Sequence, residues 1–84
     1  MVDLQIASPT NREVPLWKVQ GQIESDESIH PEIAFLRDPQ DDRLVAEAVP
    51  DEVGCFTLRA GSGHYELVIG MGVRSIVVPH LQLE

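Results

Sequence analysis

The sequence predicts an all-β fold, in which two antiparallel sheets of about seven short strands pack face to face as a β-sandwich. Apolar residues recur at every second position, as in half-buried strands, and no useful stretch has the spacing of an amphipathic helix. Proline and glycine interrupt this alternation about every ten residues, which is typical of an all-β domain. The chain of 84 residues is 43% hydrophobic, so we expect one domain with a small core.

The N-terminal part divides into a short leading segment and the start of the sandwich. Residues 1–14 are predicted to be an arm or weak first strand, and residues 15–84 the β-sandwich domain. Within the arm, residues 3–7 alternate like a strand and end at Ser8-Pro9. Residues 15–24 form the next predicted strand, whose shared face carries Trp17, Val19, Gly21 and Ile23.

Two further strands are predicted in the middle of the chain, on either side of an acidic turn at residues 38–42. Residues 32–37 place Ile33 and Phe35 on one face. Residues 43–49 also alternate, and their common face is predicted to carry Leu44, Ala46 and Ala48.

The next two strands alternate most regularly. Residues 55–60 place Phe56, Leu58 and Ala60 on one face, and residues 64–69 place Tyr65, Leu67 and Ile69 inward, with His64, Glu66 and Val68 outward. The segment Gly61-Ser62-Gly63 predicts a hairpin between them. We therefore expect Phe56 and Tyr65 to be buried on adjacent antiparallel strands.

The last predicted strand, residues 74–83, contains a proline at position 79. Proline has no backbone N–H to donate to a neighbouring strand. This strand is therefore predicted to lie at a sheet edge or to be bulged.

The order of glycines and aromatic residues resembles a known family. The resemblance rests on four features: Gly21-Gln22-Ile23, the alternation at Ile33 and Phe35, the corner Asp51-x-x-Gly54-x-Phe56 and the strand Gly63-x-Tyr65-x-Leu67. From about Val19 to Leu83 the chain is similar to the carboxypeptidase regulatory-like domain, a transthyretin-type sandwich with Ig-like architecture. It departs from the family's pattern at Pro50 and Cys55, and in a shorter Phe-to-Tyr loop that lacks Leu-Pro.

This resemblance implies an accessory domain rather than an enzyme. The transthyretin-type fold has an enzymatic branch, hydroxyisourate hydrolase, whose chemistry lies on paired histidines, an arginine and a C-terminal Tyr-Arg-Gly-Ser motif. This chain ends in His-Leu-Gln-Leu-Glu and lacks that motif. We therefore expect no enzymatic activity. The tail Ser-Ile-Val-Val-Pro-His-Leu-Gln-Leu is also similar, more weakly, to the end of sandwich segments appended to some bacterial anti-sigma factors.

The charge balance disfavours polyanionic partners. The formal net charge is −8, and the six Lys and Arg residues are scattered among fourteen acids. Nucleic acid and anionic membranes require clustered cations, so neither is expected as a partner. The single cysteine excludes an intrachain disulfide, and the N-terminus lacks signal-peptide character, so a cytoplasmic location is expected for a whole native chain. For an excised domain the location stays open.

No catalytic, cofactor-binding or metal-binding residue is predicted. The histidines, His30, His64 and His80, lack the short spacing of a zinc site, and solvent-facing positions are expected for them. Cys55 is expected to be an ordinary thiol, because no helix N-terminus is predicted near it. Ser62 lies in a predicted strand-to-strand turn, whereas a nucleophile elbow joins a strand to a helix.

Acidic residues in two turns leave one metal alternative open. Carboxylate oxygens are suitable ligands for Ca²⁺, but their spacing does not match an EF-hand loop. Solvated turn acids are therefore the preferred interpretation of Glu24, Asp26, Glu27, Asp38, Asp41 and Asp42.

The predicted function is a non-enzymatic accessory β-sandwich module that acts through protein–protein contact. An open sandwich has edge strands, so association of an edge strand with a partner protein or in a homodimer is the expected mode. No membrane insertion is expected, because no stretch approaches the length that spans a bilayer. The alternative is a module that binds a small ligand, a carbohydrate or calcium, although a small-molecule ligand is the less expected partner.

Overall fold

The computed structural model describes residues 2–9, 13, 15–24 and 31–84. These residues contain strands and turns, and no helix. The strands are β1 (Val2–Ala7), β2 (Trp17–Ile23), β3 (Ile33–Arg37), β4 (Leu44–Ala48), β5 (Cys55–Ala60), β6 (Gly63–Met71) and β7 (Arg74–Leu83).

The described strands form the predicted two-sheet sandwich. The smaller sheet has three strands in the order β1-β2-β5, and the larger sheet has four in the order β4-β3-β6-β7. Every neighbouring pair is antiparallel. In a constant-type immunoglobulin domain the fourth strand joins the first sheet, whereas here β4 pairs with β3.

The core lies between the two sheets and is built from aliphatic residues with two aromatic rings. The fully buried side chains include Val19 from the smaller sheet and Leu36 from the larger one. Together the buried core residues are Val19, Ile23, Ala34, Leu36, Phe56, Leu58, Ala60, Tyr65, Leu67, Ile69, Leu81 and Leu83.

The face of β3 that points into the core is not the one that carries its larger side chains. Ile33 and Phe35 do share a face, as predicted, but they are only half-buried, while Ala34 and Leu36 are fully buried. Both alternating sets of this strand are apolar, so the alternation alone does not select the inward one. The outward position of Phe35 matters for the site described below.

The predicted common face of β4 is interrupted by a β-bulge. Ala46 and Ala48 pack against the core, but Leu44 is exposed, so the prediction for Leu44 is wrong. Leu36 pairs with Ala46 while Arg37 pairs with Leu44, which leaves Val45 as the extra residue. A bulge shifts the alternation by one position, and sequence alternation cannot register that shift.

The predicted hairpin between β5 and β6 is wrong. Phe56 and Tyr65 are buried, with 5% and 9% of their surface exposed, but β5 belongs to the smaller sheet and β6 to the larger one. Residues 61–62 therefore cross from one sheet to the other. The Tyr65 hydroxyl donates to the Gly61 carbonyl oxygen at 2.9 Å, the geometry of the tyrosine corner in Greek-key sandwiches. The Trp17 indole N–H donates to Ser62 Oγ at 3.3 Å.

The last strand was predicted to lie at a sheet edge or to be bulged, and the structure shows both features. β7 is an edge strand of the larger sheet. Its register with β6 shifts where Tyr65 pairs with Leu81 and Leu67 pairs with Val78, so Glu66 faces both Pro79 and His80. The bulge accommodates the missing N–H of the proline.

The N-terminal strand belongs to the sandwich. β1 pairs with β2 from Val2 opposite Ile23 to Ala7 opposite Lys18. The segment predicted as an arm or weak strand therefore covers the edge of β2 in its own sheet.

Candidate functional site

The outer face of the larger sheet carries apolar side chains in register across neighbouring strands. Phe35 pairs with Val68, and Val68 pairs with Val77, so one residue from each of β3, β6 and β7 forms what we call the outer apolar row. Its middle residue, Val68, is 7% exposed, whereas Val77 on the edge strand is 45% exposed. The row therefore begins inside the sheet and ends at an accessible edge.

The first half of β7 is the accessible part of that edge. Residues 74–78 pair regularly with β6, from Arg74 opposite Met71 to Val78 opposite Leu67. They include three successive aliphatic residues, Ile76, Val77 and Val78. An edge strand presents unpaired backbone N–H and C=O groups to its open side, and this half contains neither a proline nor a bulge that would block a further strand.

A cleft of about 500 Å³ lies at the bulge in the other half of β7. We call it the bulge cleft. His80 has a positive φ of 59°, a left-handed conformation that costs a residue other than glycine about 1–3 kcal/mol. The residues that line the bulge cleft include Asp38, Gln40, His64, Glu66, Pro79 and His80.

An ion pair between Arg37 and Glu66 lies beside the bulge cleft, and Glu66 also lines it. Arg37 and Glu66 are opposite each other on β3 and β6, and the Arg37 Nη2 donates to Glu66 Oε2 at 2.5 Å. This hydrogen bond, with the charges of Glu66 and Asp42, raises the pKa of Arg37 above its ordinary value, so the guanidinium stays charged. The Arg37 Nε is buried without a hydrogen bond among the described residues, and Asp42 Oδ1 lies 3.7 Å from it.

The structure brings together two histidines that are sixteen positions apart in the sequence. His64 and His80 both line the bulge cleft, and both are exposed, as predicted. Within the described ranges, no group of three or more His, Cys, Asp or Glu side chains is arranged to hold a metal ion. The third histidine, His30, lies outside the described residues.

Of the acids considered as calcium ligands, some stabilise a turn and others lie outside the described residues. Asp38 Oδ1 accepts the Gln40 N–H at 2.9 Å, and Asp41 Oδ1 accepts the Arg43 N–H at 3.0 Å. These oxygens stabilise the turn between β3 and β4, which supports the interpretation as turn acids. Asp26 and Glu27 lie outside the described residues, and Glu24 is exposed at the end of β2.

The remaining candidates lie away from the bulge cleft. Cys55 is a free, half-buried thiol at the start of β5. It lines a second cleft, of about 510 Å³, on the outer side of the smaller sheet, together with Asp3, Gln20, Gln22 and Thr57. Ser62 accepts the Trp17 hydrogen bond in the crossing segment, so its hydroxyl has a structural partner.

Sequence reasoning found the parts of this face but not their arrangement. The proline in the last strand signalled the bulge, and the outward phase of Val68 was predicted. To predict that Phe35 lies beside Val68, one must know which face of β3 points to the core. To predict that Asp38 and His80 line one cleft, one must know that β3, β6 and β7 pair side by side. The sequence of a single strand indicates neither its inward face nor its neighbours in the sheet.

Comparisons of the chain with known protein families, curated proteins and solved structures find no match. The class that the structure defines is therefore the small β-sandwich, and no family is shown for this chain. Among the described residues there is no helix that could cross a bilayer.

Proposed function

We propose that this chain is a non-enzymatic accessory β-sandwich module that binds a protein partner by adding an extended segment of that partner to the edge of β7. The observation that carries the proposal is the outer apolar row, which ends at Val77 on the accessible half of this edge. Backbone groups of the edge would supply hydrogen bonds, and the row would supply apolar contact on one side of the added strand.

The other three edges are less suited to this role. β4 is only five residues long and is bulged at Val45, and both features hinder pairing with a further strand. β5 packs beside β4, which restricts access to its open side. β1 carries the charged residue Asp3 and is followed by Ser8-Pro9. β7 is ten residues long, and its residues 75–78 include no charged residue, no proline and no bulge.

The resemblance of the chain supports an accessory role. The corner formed by Asp51, Gly54 and Phe56 is the part most similar to the carboxypeptidase regulatory-like domain, and that likeness implies a folded module beside other domains or subunits. The net charge of −8 favours a partner that is not itself acidic.

The test is a titration of the ¹⁵N-labelled protein with a synthetic peptide, Thr-Val-Thr-Val-Thr-Val-Thr, followed by NMR. We expect the largest shifts at the amides of residues 74–78 and at Val68, with slower hydrogen exchange along β7. The variant Val77→Lys should remove these effects, because a lysine on an edge strand opposes further pairing.

The matched control is Val73→Lys. Val73 is fully exposed, at 104%, and it lies in the turn between β6 and β7, so the same substitution changes the charge equally without touching the row. Binding that survives in Val77→Lys, or shifts that centre on β1 or β5, would contradict the proposed edge.

A further inference from the structure

The outer face of the larger sheet has two chemically different halves. The outer apolar row lies in one half. One step along the same face, two residues from Val68 on β6, Glu66 faces Arg37, and the next step reaches His64 in the bulge cleft. A strand added at β7 would pass both halves, because the edge runs from Ser75 and Val77 to the bulge at Pro79 and His80.

The bulge cleft is suited to a cationic group. Asp38 and Glu66 contribute carboxylates to its lining, and Asp41 and Asp42 lie on the adjoining turn. Arg37 offsets part of this charge through Glu66 and Asp42, and Arg43 lies next to Asp41 and Asp42, while Asp38 uses one oxygen for a backbone N–H. In an acidic chain, this end therefore attracts a positively charged side chain.

The spacing between the two halves sets the position of that cation. Residues on one side of a strand recur every second position, about 7 Å apart. If an aliphatic residue of the partner lies beside Val77, the residue two positions away on the same side is level with Glu66, and the residue four positions away is level with His64. Lysine and arginine have long apolar stems that can extend along Pro79 while the charge reaches the cleft.

We propose that the partner segment carries a lysine or arginine two or four positions before an aliphatic residue, runs antiparallel to β7, and places that cation in the bulge cleft. This inference rests on the proposed function and specifies the chemistry of the partner. The antiparallel direction follows the pairing used throughout this sheet, and it places the basic residue on the N-terminal side of the aliphatic one.

A second copy of this chain does not have the required pattern. If two β7 strands pair antiparallel in one continuous sheet, the outer faces of both sheets lie on the same side. The outward residues of the straight half are then Ser75 and Val77, while Arg74 has the inward phase of Ile76. A homodimer would therefore bring no cation to the bulge cleft, and it would join two chains of net charge −8.

The experiment compares three labelled peptides by fluorescence anisotropy: Thr-Lys-Thr-Val-Thr-Val-Thr, the same peptide with Glu in place of Lys, and the reversed arrangement Thr-Val-Thr-Val-Thr-Lys-Thr. We expect the first to bind about three- to fivefold more tightly than either of the others, the effect of one exposed charge pair. Asp38→Asn keeps the turn acceptor but removes the charge, so it should abolish this preference.

Glu52→Gln is the matched protein control, since it removes one exposed charge from the turn between β4 and β5, at the opposite end of β4. It should leave the preference for the lysine peptide unchanged. Equal binding of all three peptides, still lost in Val77→Lys, would overturn the inference while the edge function stands. Tighter binding of the reversed peptide would overturn the antiparallel arrangement, and self-association through β7 that excludes every peptide would replace the basic segment with a second copy. Failure of all peptides to bind, without self-association, would overturn the inference and the proposed edge function together.

Discussion

At the scale of single residues, one carboxylate organises the corner that precedes β5. Asp51 Oδ1 accepts the N–H groups of Val53 at 3.0 Å and Cys55 at 2.9 Å, while its backbone oxygen accepts the Gly54 N–H at 3.0 Å. Gly54 has a φ of +83°, and a Cβ there would collide with the backbone oxygen of Ile23. The spacing Asp-x-x-Gly-x-Phe is therefore a structural requirement of this turn, which directs Phe56 into the core.

Replacement of Asp51 by alanine should destabilise the protein by about 1–3 kcal/mol, because two backbone donors lose their acceptor. Asp51→Asn keeps an oxygen in the same place and should cost less. Urea unfolding followed by circular dichroism measures both values. Asp41→Ala, which removes one such bond in the turn between β3 and β4, serves as the reference. A loss for Asp51→Ala no larger than that for Asp41→Ala would refute the organising role of this carboxylate.

At the scale of elements, β3 shows how pairing decides the orientation of a strand. Both of its faces are apolar: Ala34 and Leu36 point to the core, and Ile33 and Phe35 point outward. The smaller side chains of β4, Ala46 and Ala48, lie beside the inward residues of β3 and leave room for Leu36. The larger Phe35 remains on the outside, where it forms the outer apolar row with Val68.

This arrangement predicts opposite sensitivities at neighbouring positions of one strand. Leu36→Ala should cost about 2–5 kcal/mol, because a fully buried side chain leaves a cavity. Phe35→Ala removes a larger side chain from a half-buried position, and we expect it to cost less. Equilibrium unfolding of both variants provides the comparison. A greater loss of stability for Phe35→Ala would mean that the other face of β3 points to the core.

At the scale of the whole molecule, stability depends strongly on two buried aromatic residues, Phe56 and Tyr65. A domain of 84 residues has a total stability of about 4–13 kcal/mol. The Phe56 ring packs over Gly21 on the neighbouring strand of its own sheet, where a Cβ would collide with the ring. The Tyr65 hydroxyl donates to Gly61 in the segment that crosses between the sheets. Loss of one aromatic anchor therefore removes a large fraction of the available stability.

Phe56→Ala should destabilise the protein by about 3–5 kcal/mol, enough to unfold a substantial part of the population at ambient temperature. Phe56→Leu retains most of the buried volume and should lose less. Thermal unfolding of both variants tests this prediction. An unchanged melting temperature for Phe56→Ala would show that the Phe56 side chain does not stabilise the core.

The sequence by itself determined the features that depend on local chemistry. Alternation and turn residues predicted the all-β sandwich, Pro79 predicted an edge or bulge, and the phases of Phe56 and Tyr65 predicted their burial. These predictions follow from backbone geometry, because the side chains of a strand alternate and proline cannot donate a hydrogen bond.

Only the tertiary structure decided which strands pair and which apolar face turns inward. Gly61-Ser62-Gly63 reverses the chain in either topology, but β2 is the partner of β5, so the segment crosses between sheets. The bulge at Val45 and the outward position of Phe35 also depend on neighbours far away in the sequence. Which strands pair depends on residues that are far apart in the sequence. The residues of a single strand therefore do not determine its neighbours in the sheet. The outer apolar row and the bulge cleft exist only because that choice placed β3, β6 and β7 side by side.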